Sequence, residues 1–140
     1  MAAFLGVTVL GVVALVPAVV SAPPPAAAGS VATLQIDGVI TPITVRLVAT
    51  AVERARTEGA AALVIQLDTP GGLERSMRSV VRDLLNAPIP VIVYVSPTGA
   101  RAASAGAFIT LAAHIAAMAP ATNIGAASPV MLGGGTSTRR

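Results

Sequence analysis

Ser104 lies in Val91–Val130, VIVYVSPTGARAASAGAFITLAAHIAAMAPATNIGAASPV, where an apolar run gives way to a helical pattern. Ala102, Ala103, Ala105, Gly106 and Ala107 surround it, so no bulky neighbour in the chain shields its hydroxyl. A serine so placed can attack a carbonyl if nearby backbone N–H groups hold the oxygen that turns negative. Upstream, Leu67–Gly72 (LDTPGG) makes a second strand-to-helix junction, this one with a glycine pair. Glycine lets a backbone approach a ligand closely, and the first N–H groups of a helix lack intrahelical partners. Ser104 is therefore the candidate nucleophile, with the N–H groups of Gly71, Gly72 and Ala105 as candidate oxyanion donors. Each feature alone has a plainer reading. A serine heading an apolar helix is usually an N-cap, and Pro-Gly is usually only a turn. The combination on one sheet edge is what favours chemistry.

The residue that would activate the serine is missing from the pattern. All nine basic residues are arginine, and a guanidinium stays protonated at any working pH. The single histidine, His114, is ten residues beyond Ser104, about 15 Å away if one helix joins them. Asp68 is expected to be a turn-stabilising acceptor rather than a base for serine. Asn123 and Gly125, in TNIGAASPV, read as a loop.

Several function classes drop out on composition. With no cysteine there is no thiolate nucleophile, disulfide or Cys-ligated metal, and one histidine cannot build a His-rich metal site. Gly71-Gly72 comes without a P-loop or dinucleotide fingerprint, so phosphate binding has weak support and no cofactor is expected. The formal charge is +3, and the internal arginines alternate with Glu53, Glu58, Glu74 and Asp83 as solvated helix faces do. No basic stripe interleaved with aromatics is present, so nucleic acid is not an expected partner. The chain is 54% apolar but only 2% aromatic, which predicts a core of Ala, Val, Ile and Leu.

Strands alternating with helices must position these residues. Val31–Ile36 reads as a strand closed by Asp37-Gly38, and Thr44–Thr57 as an amphipathic helix ended by Glu58-Gly59. Pro42 argues against a central strand across Val39–Ile43. Ala61–Leu67 is nearly continuous in apolar residues, as in a strand buried on both faces of a parallel sheet. Leu73–Asn86 predicts a second helix, Val91–Val95 a third strand, Ser104–His114 a third helix and Ile115–Met118 a fourth strand. The βαβ order implies a parallel sheet, whose ligands gather at the carboxyl ends of the strands. Asp68–Gly72 and Ser96–Ser104 both follow strands and so should share that edge.

Residues 1–28 read as a targeting segment. Ala2–Val20 is uncharged and apolar, and SAPPPAAAGS follows it. Ala26-Ala27-Ala28 fits a signal-peptidase site better than Val20-Ser21-Ala22, which proline follows. No Lys or Arg precedes the run, and its length also suits a membrane anchor. Either way the remaining chain, 29–140, is expected at or across a membrane.

Together, LDTPGG, YVSPTGARAASAG and APATNIGAASPV resemble the NfeD-type membrane-bound serine proteases, of the ClpP/crotonase fold class, over Val31 to Val130. The resemblance implies an α/β fold with a parallel sheet and flanking helices, incomplete at the C-terminus. It implies Ser104 as nucleophile, Gly71-Gly72 in the oxyanion site and a downstream lysine as general base. No lysine is present in these residues, so the reading is the front part of a Ser/Lys protease without its base. Hydrophobic peptides or a stomatin-like membrane protein are the implied partners, with a homo-oligomer as the implied assembly. Two alternatives remain. A crotonase-like acyl-CoA enzyme would need a carboxylate near the pocket, and Ala102–Leu111 offers none. A non-catalytic module binding a membrane protein would need no base at all.

Overall fold

A computed structural model describes residues 29–126; the targeting segment expected over 1–28 lies outside them. The order is β1 (Val31–Asp37), α1 (Pro42–Thr57), β2 (Ala62–Asp68), α2 (Glu74–Leu85), β3 (Val91–Val95), β4 (Arg101–Ala103), α3 (Ala105–Leu111), β5 (Ile115–Met118) and β6 (Asn123–Gly125). β1, β2, β3 and β5 form a parallel sheet in the order β1-β2-β3-β5, and β4 pairs β6 in a second parallel sheet. The α/β class with a parallel sheet is as expected.

Pro42 starts α1, where its missing N–H costs nothing. The Thr41 N–H just before it donates to Thr44 Oγ1 at 3.1 Å. Thr44, Val48, Val52 and Ala55 form the buried stripe of α1; Ser76, Val80 and Leu84 form that of α2. These stripes pack on Leu63, Ile65 and Leu67 of β2 and Val91, Val93 and Val95 of β3. The core is aliphatic and closed to bulk solvent at its centre: all six of those strand residues are 0% exposed. The charged sides of the helices carry Arg54–Glu58, Arg56–Glu53 and Arg78–Glu74 pairs. The hydrogen bond from Arg56 holds the Glu53 carboxyl below its ordinary value, but these pairs are exposed and add little stability.

Two expectations need correction. β2 is not buried on both faces among the described residues. The helices cover the side of Leu63, Ile65 and Leu67, while Ala62, Val64 and Gln66, on the other side, keep solvent access. On that open side Gln35, Gln66 and Tyr94 line a recess of ≈ 480 Å³ with Asp68 and Ser96. The apolar character of Val64 and Ile92 misled the periodicity, because an aliphatic residue alone does not reveal which face is covered. The third helix is also shorter than Ser104–His114. It ends at Leu111, because the His114 N–H turns to the Val91 carbonyl at 3.0 Å and starts the pairing of β5 with β3.

Candidate active site

The second sheet was invisible in the sequence, and it is what carries Ser104. β4 is only Arg101–Ala103, too short for any periodicity, and β6 contains the Asn-Ile-Gly that reads as a loop. Ala102 and Ala103 pair with Ile124 and Gly125. The strand is also tied to the end of β2. The Thr69 N–H donates to the Arg101 carbonyl at 2.7 Å, and the Ala103 N–H donates to the Thr69 carbonyl at 3.0 Å. Asp68 Oδ1 accepts the Arg101 N–H at 3.0 Å. Asp68 therefore has the acceptor role expected of it, and it secures β4 to the first sheet.

Ser104 follows β4 directly and is half-buried. Its N–H donates to the Gly125 carbonyl at 2.8 Å, and its backbone is at φ 52, ψ −112. Positive φ is uncommon for a residue with a Cβ and costs on the order of 1–3 kcal/mol. The hydroxyl does not cap α3 and has no hydrogen-bond partner among the described residues. The plainer N-cap reading of Ser104 thus fails on geometry. Ala105 opens α3, so its N–H has no intrahelical carbonyl to bond.

The glycine pair comes to the same place. A Cβ built on Gly71 would lie 2.8 Å from the Ser104 Cβ and 3.3 Å from its Oγ. Gly71 is at φ 121, which favours glycine on conformational grounds as well. Gly72 makes a parallel bridge with Ile40: the Ile40 N–H donates to the Gly71 carbonyl, and the Leu73 N–H to the Ile40 carbonyl, both at 2.9 Å. In an extended segment the intervening Gly72 N–H must then point away from Ile40. The Gly71 N–H is not open, since it donates to Thr69 Oγ1 at 3.1 Å. Of the donors expected from sequence, Gly72 and Ala105 therefore have N–H groups with no acceptor among the described residues, and what Gly71 contributes is its conformation and lack of side chain.

Thr69 and Gly106 were missed. A Cβ on Gly106 would fall 2.5 Å from the Thr69 Cγ2, so α3 approaches the end of β2 only because this position is glycine. The signal for Thr69 was present: a threonine two residues before a glycine suits a side-chain turn. His114 lies at the opposite edge of the sheet. Its Nδ1 accepts the N–H of Val91, the first residue of β3, whereas Ser104 is placed by the segment leaving the end of that strand.

The family described as NfeD1b, N-terminal domain, matches residues 30–140. The chain belongs to that family. Over 97 residues it is 45% identical to the membrane-bound protease PH1510 of Pyrococcus horikoshii, covering 69% of this chain but only 22% of the relative. The chain thus spans less than a quarter of that protein. The fold is similar to a lysine-to-alanine mutant of the 1510-N membrane-bound stomatin-specific protease in complex with a substrate peptide. There the TM-score is 0.74 and the identity 44%, over 79% of this chain and 50% of that one. A more distant likeness is to a ClpP1 mutant from Listeria monocytogenes, with TM-score 0.58 and 22% identity over 66% of this chain and 54% of that one. It shows the ClpP-like fold of this family member.

Proposed function

We propose that this chain belongs to a serine endopeptidase acting through an acyl-enzyme, with Ser104 as nucleophile. The observation that carries the reading is the Ser104 hydroxyl, without a hydrogen-bond partner among the described residues and held at positive φ against Gly71. Ser104 Oγ adds to the scissile carbonyl and gives up its proton to a base. The N–H groups of Gly72 and Ala105 hold the resulting oxyanion. Collapse expels the amine, which takes a proton from the base, and water then releases the acyl group by the same steps in reverse. The base is a lysine supplied from outside these 140 residues, which contain none. Support for a protease comes from the identity to PH1510, and support for peptide binding from the peptide complex of the similar fold.

By the same likeness the substrate is a hydrophobic segment of a stomatin-like membrane protein, met at the membrane. A homo-oligomer is the assembly we propose. The test is labelling by a serine-reactive fluorophosphonate, together with peptide cleavage, in a longer form that includes the lysine. Ser104→Ala is expected to abolish both, a loss of at least about 10³-fold. Retained labelling or cleavage in Ser104→Ala would show the nucleophile to be elsewhere. A second reading has two observations in its favour: His114 is on the wrong edge, and no lysine is present in these 140 residues, which by themselves would then make a binding module for the same segment. Peptide binding with no labelling in the lysine-containing form would support it.

A further inference from the structure

Thr69 is 0% exposed and is bonded in three directions. Its backbone joins β4 through Arg101 and Ala103. Its Cγ2 fills the space left by Gly106 on α3. Its hydroxyl accepts the Gly71 N–H at 3.1 Å and donates to the Gly71 carbonyl at 3.1 Å. That carbonyl also accepts the Ile40 N–H at 2.9 Å, so two donors hold it from the protein side.

We propose that Thr69 is the positioning residue of the oxyanion site, setting the direction of the Gly72 N–H through the rigidity of one peptide plane. The proposal rests on the reading of Ser104 as nucleophile. The peptide joining Gly71 and Gly72 is planar, with its carbonyl and N–H pointing in opposite directions. Holding the Gly71 carbonyl toward Ile40 and Thr69 therefore turns the Gly72 N–H outward. Glycine has no Cβ to prevent a peptide flip, and Gly71 at φ 121 is where one would occur. The Thr69 hydroxyl opposes the flip at both ends of Gly71, because it bonds the N–H as well as the carbonyl. The methyl group explains why threonine suits the position better than serine. Packed where α3 comes closest, it locks χ1 and keeps the hydroxyl aimed at Gly71. One side chain thus registers the glycine pair against the helix that starts just after Ser104.

The experiment compares Thr69→Val, which keeps the shape and removes the hydroxyl, with Thr69→Ser, which keeps the hydroxyl. Crystal structures of both variants give the orientation of the Gly71–Gly72 peptide. Fluorophosphonate labelling and peptide cleavage by the lysine-containing form give the reactivity. Thr69→Val is expected to turn the peptide and to slow labelling and kcat by at least about tenfold, with KM changed less than about twofold. Thr69→Ser is expected to keep the peptide orientation and stay within about threefold of the parent rate. An unturned peptide in Thr69→Val, or labelling at the parent rate, would overturn the proposal. If Thr69→Val does not fold, Thr69→Ala, which removes the hydroxyl with less bulk, takes its place, and the same outcomes decide. A turned peptide in a protein whose parent form is never labelled would sink the serine-protease reading and leave the positioning role standing. A labelled parent with an unmoved peptide would do the reverse.

Discussion

Two glycines at this site are required for different reasons, and substitution separates them. Gly71 needs its positive φ and its missing side chain, because a Cβ would meet Ser104. Gly72 has no unusual φ, but a Cβ there would fall on the backbone of Ile40, which cannot rotate aside as a side chain can. Gly72→Ala must therefore separate the Ile40–Gly72 bridge. We expect a stability loss of about 2–3 kcal/mol in urea unfolding, with fluorophosphonate labelling lost as well. A variant as stable as the parent would mean that the bridge is not maintained in solution. Ser104 is the opposite case, a residue with a side chain in a conformation that suits glycine. Its strain is compensated by the bond from its N–H to Gly125 and by the tethering of β4.

At the scale of elements, β4 is only three residues long and cannot be stable alone. It is held by β6, by the Thr69 backbone and by the Asp68 carboxylate that accepts the Arg101 N–H. Asp68→Ala removes that last acceptor. It should cost about 1–2 kcal/mol and raise the amide exchange of Arg101–Ala103 well above that of β2 and β3. Unchanged exchange at Arg101 would show that the Thr69 bonds suffice. The helices have a different dependence. Their buried stripes hold them to the sheet, and their Arg–Glu pairs are solvated and nearly neutral in energy. The helices were accordingly legible from periodicity, whereas β4 and β6 were not. Ala102 and Ala103 have no strong strand preference, and what makes them a strand is the carbonyls and N–H groups of Thr69 and β6.

For the molecule as a whole, the parallel sheet gives the site its polarity. All four strands of the main sheet run the same way, so loops that leave their carboxyl ends converge although distant in sequence. Asp68–Gly72 and Ser96–Ser104 meet there as expected. His114 is sent to the other edge, where it accepts the Val91 N–H. Since β3 is five residues long, that edge is about 13 Å from the site along the strand. His114→Ala should thus lower stability by about 1 kcal/mol through the lost acceptor, while leaving the labelling rate of Ser104 unchanged. A slowed rate in that variant would place the histidine in the chemistry after all.

The sequence by itself determined the elements with strong apolar patterns, the α/β class and the edge on which Ser104 and the glycine pair would meet. Those features follow from local spacing and from the absence of bulk, which a chain displays residue by residue. It also determined that no lysine lies within these 140 residues. Tertiary structure alone decided that, among the described residues, one face of the sheet is left open by the helices, that the Ser104 hydroxyl has no partner there while its backbone is at positive φ, and that Gly71 has given its N–H to Thr69. Each of these depends on hydrogen bonds or packing between segments far apart in the chain. Which of two adjacent glycine amides faces a substrate is set by where a third residue fixes one peptide plane, and no property of the glycines themselves reveals it.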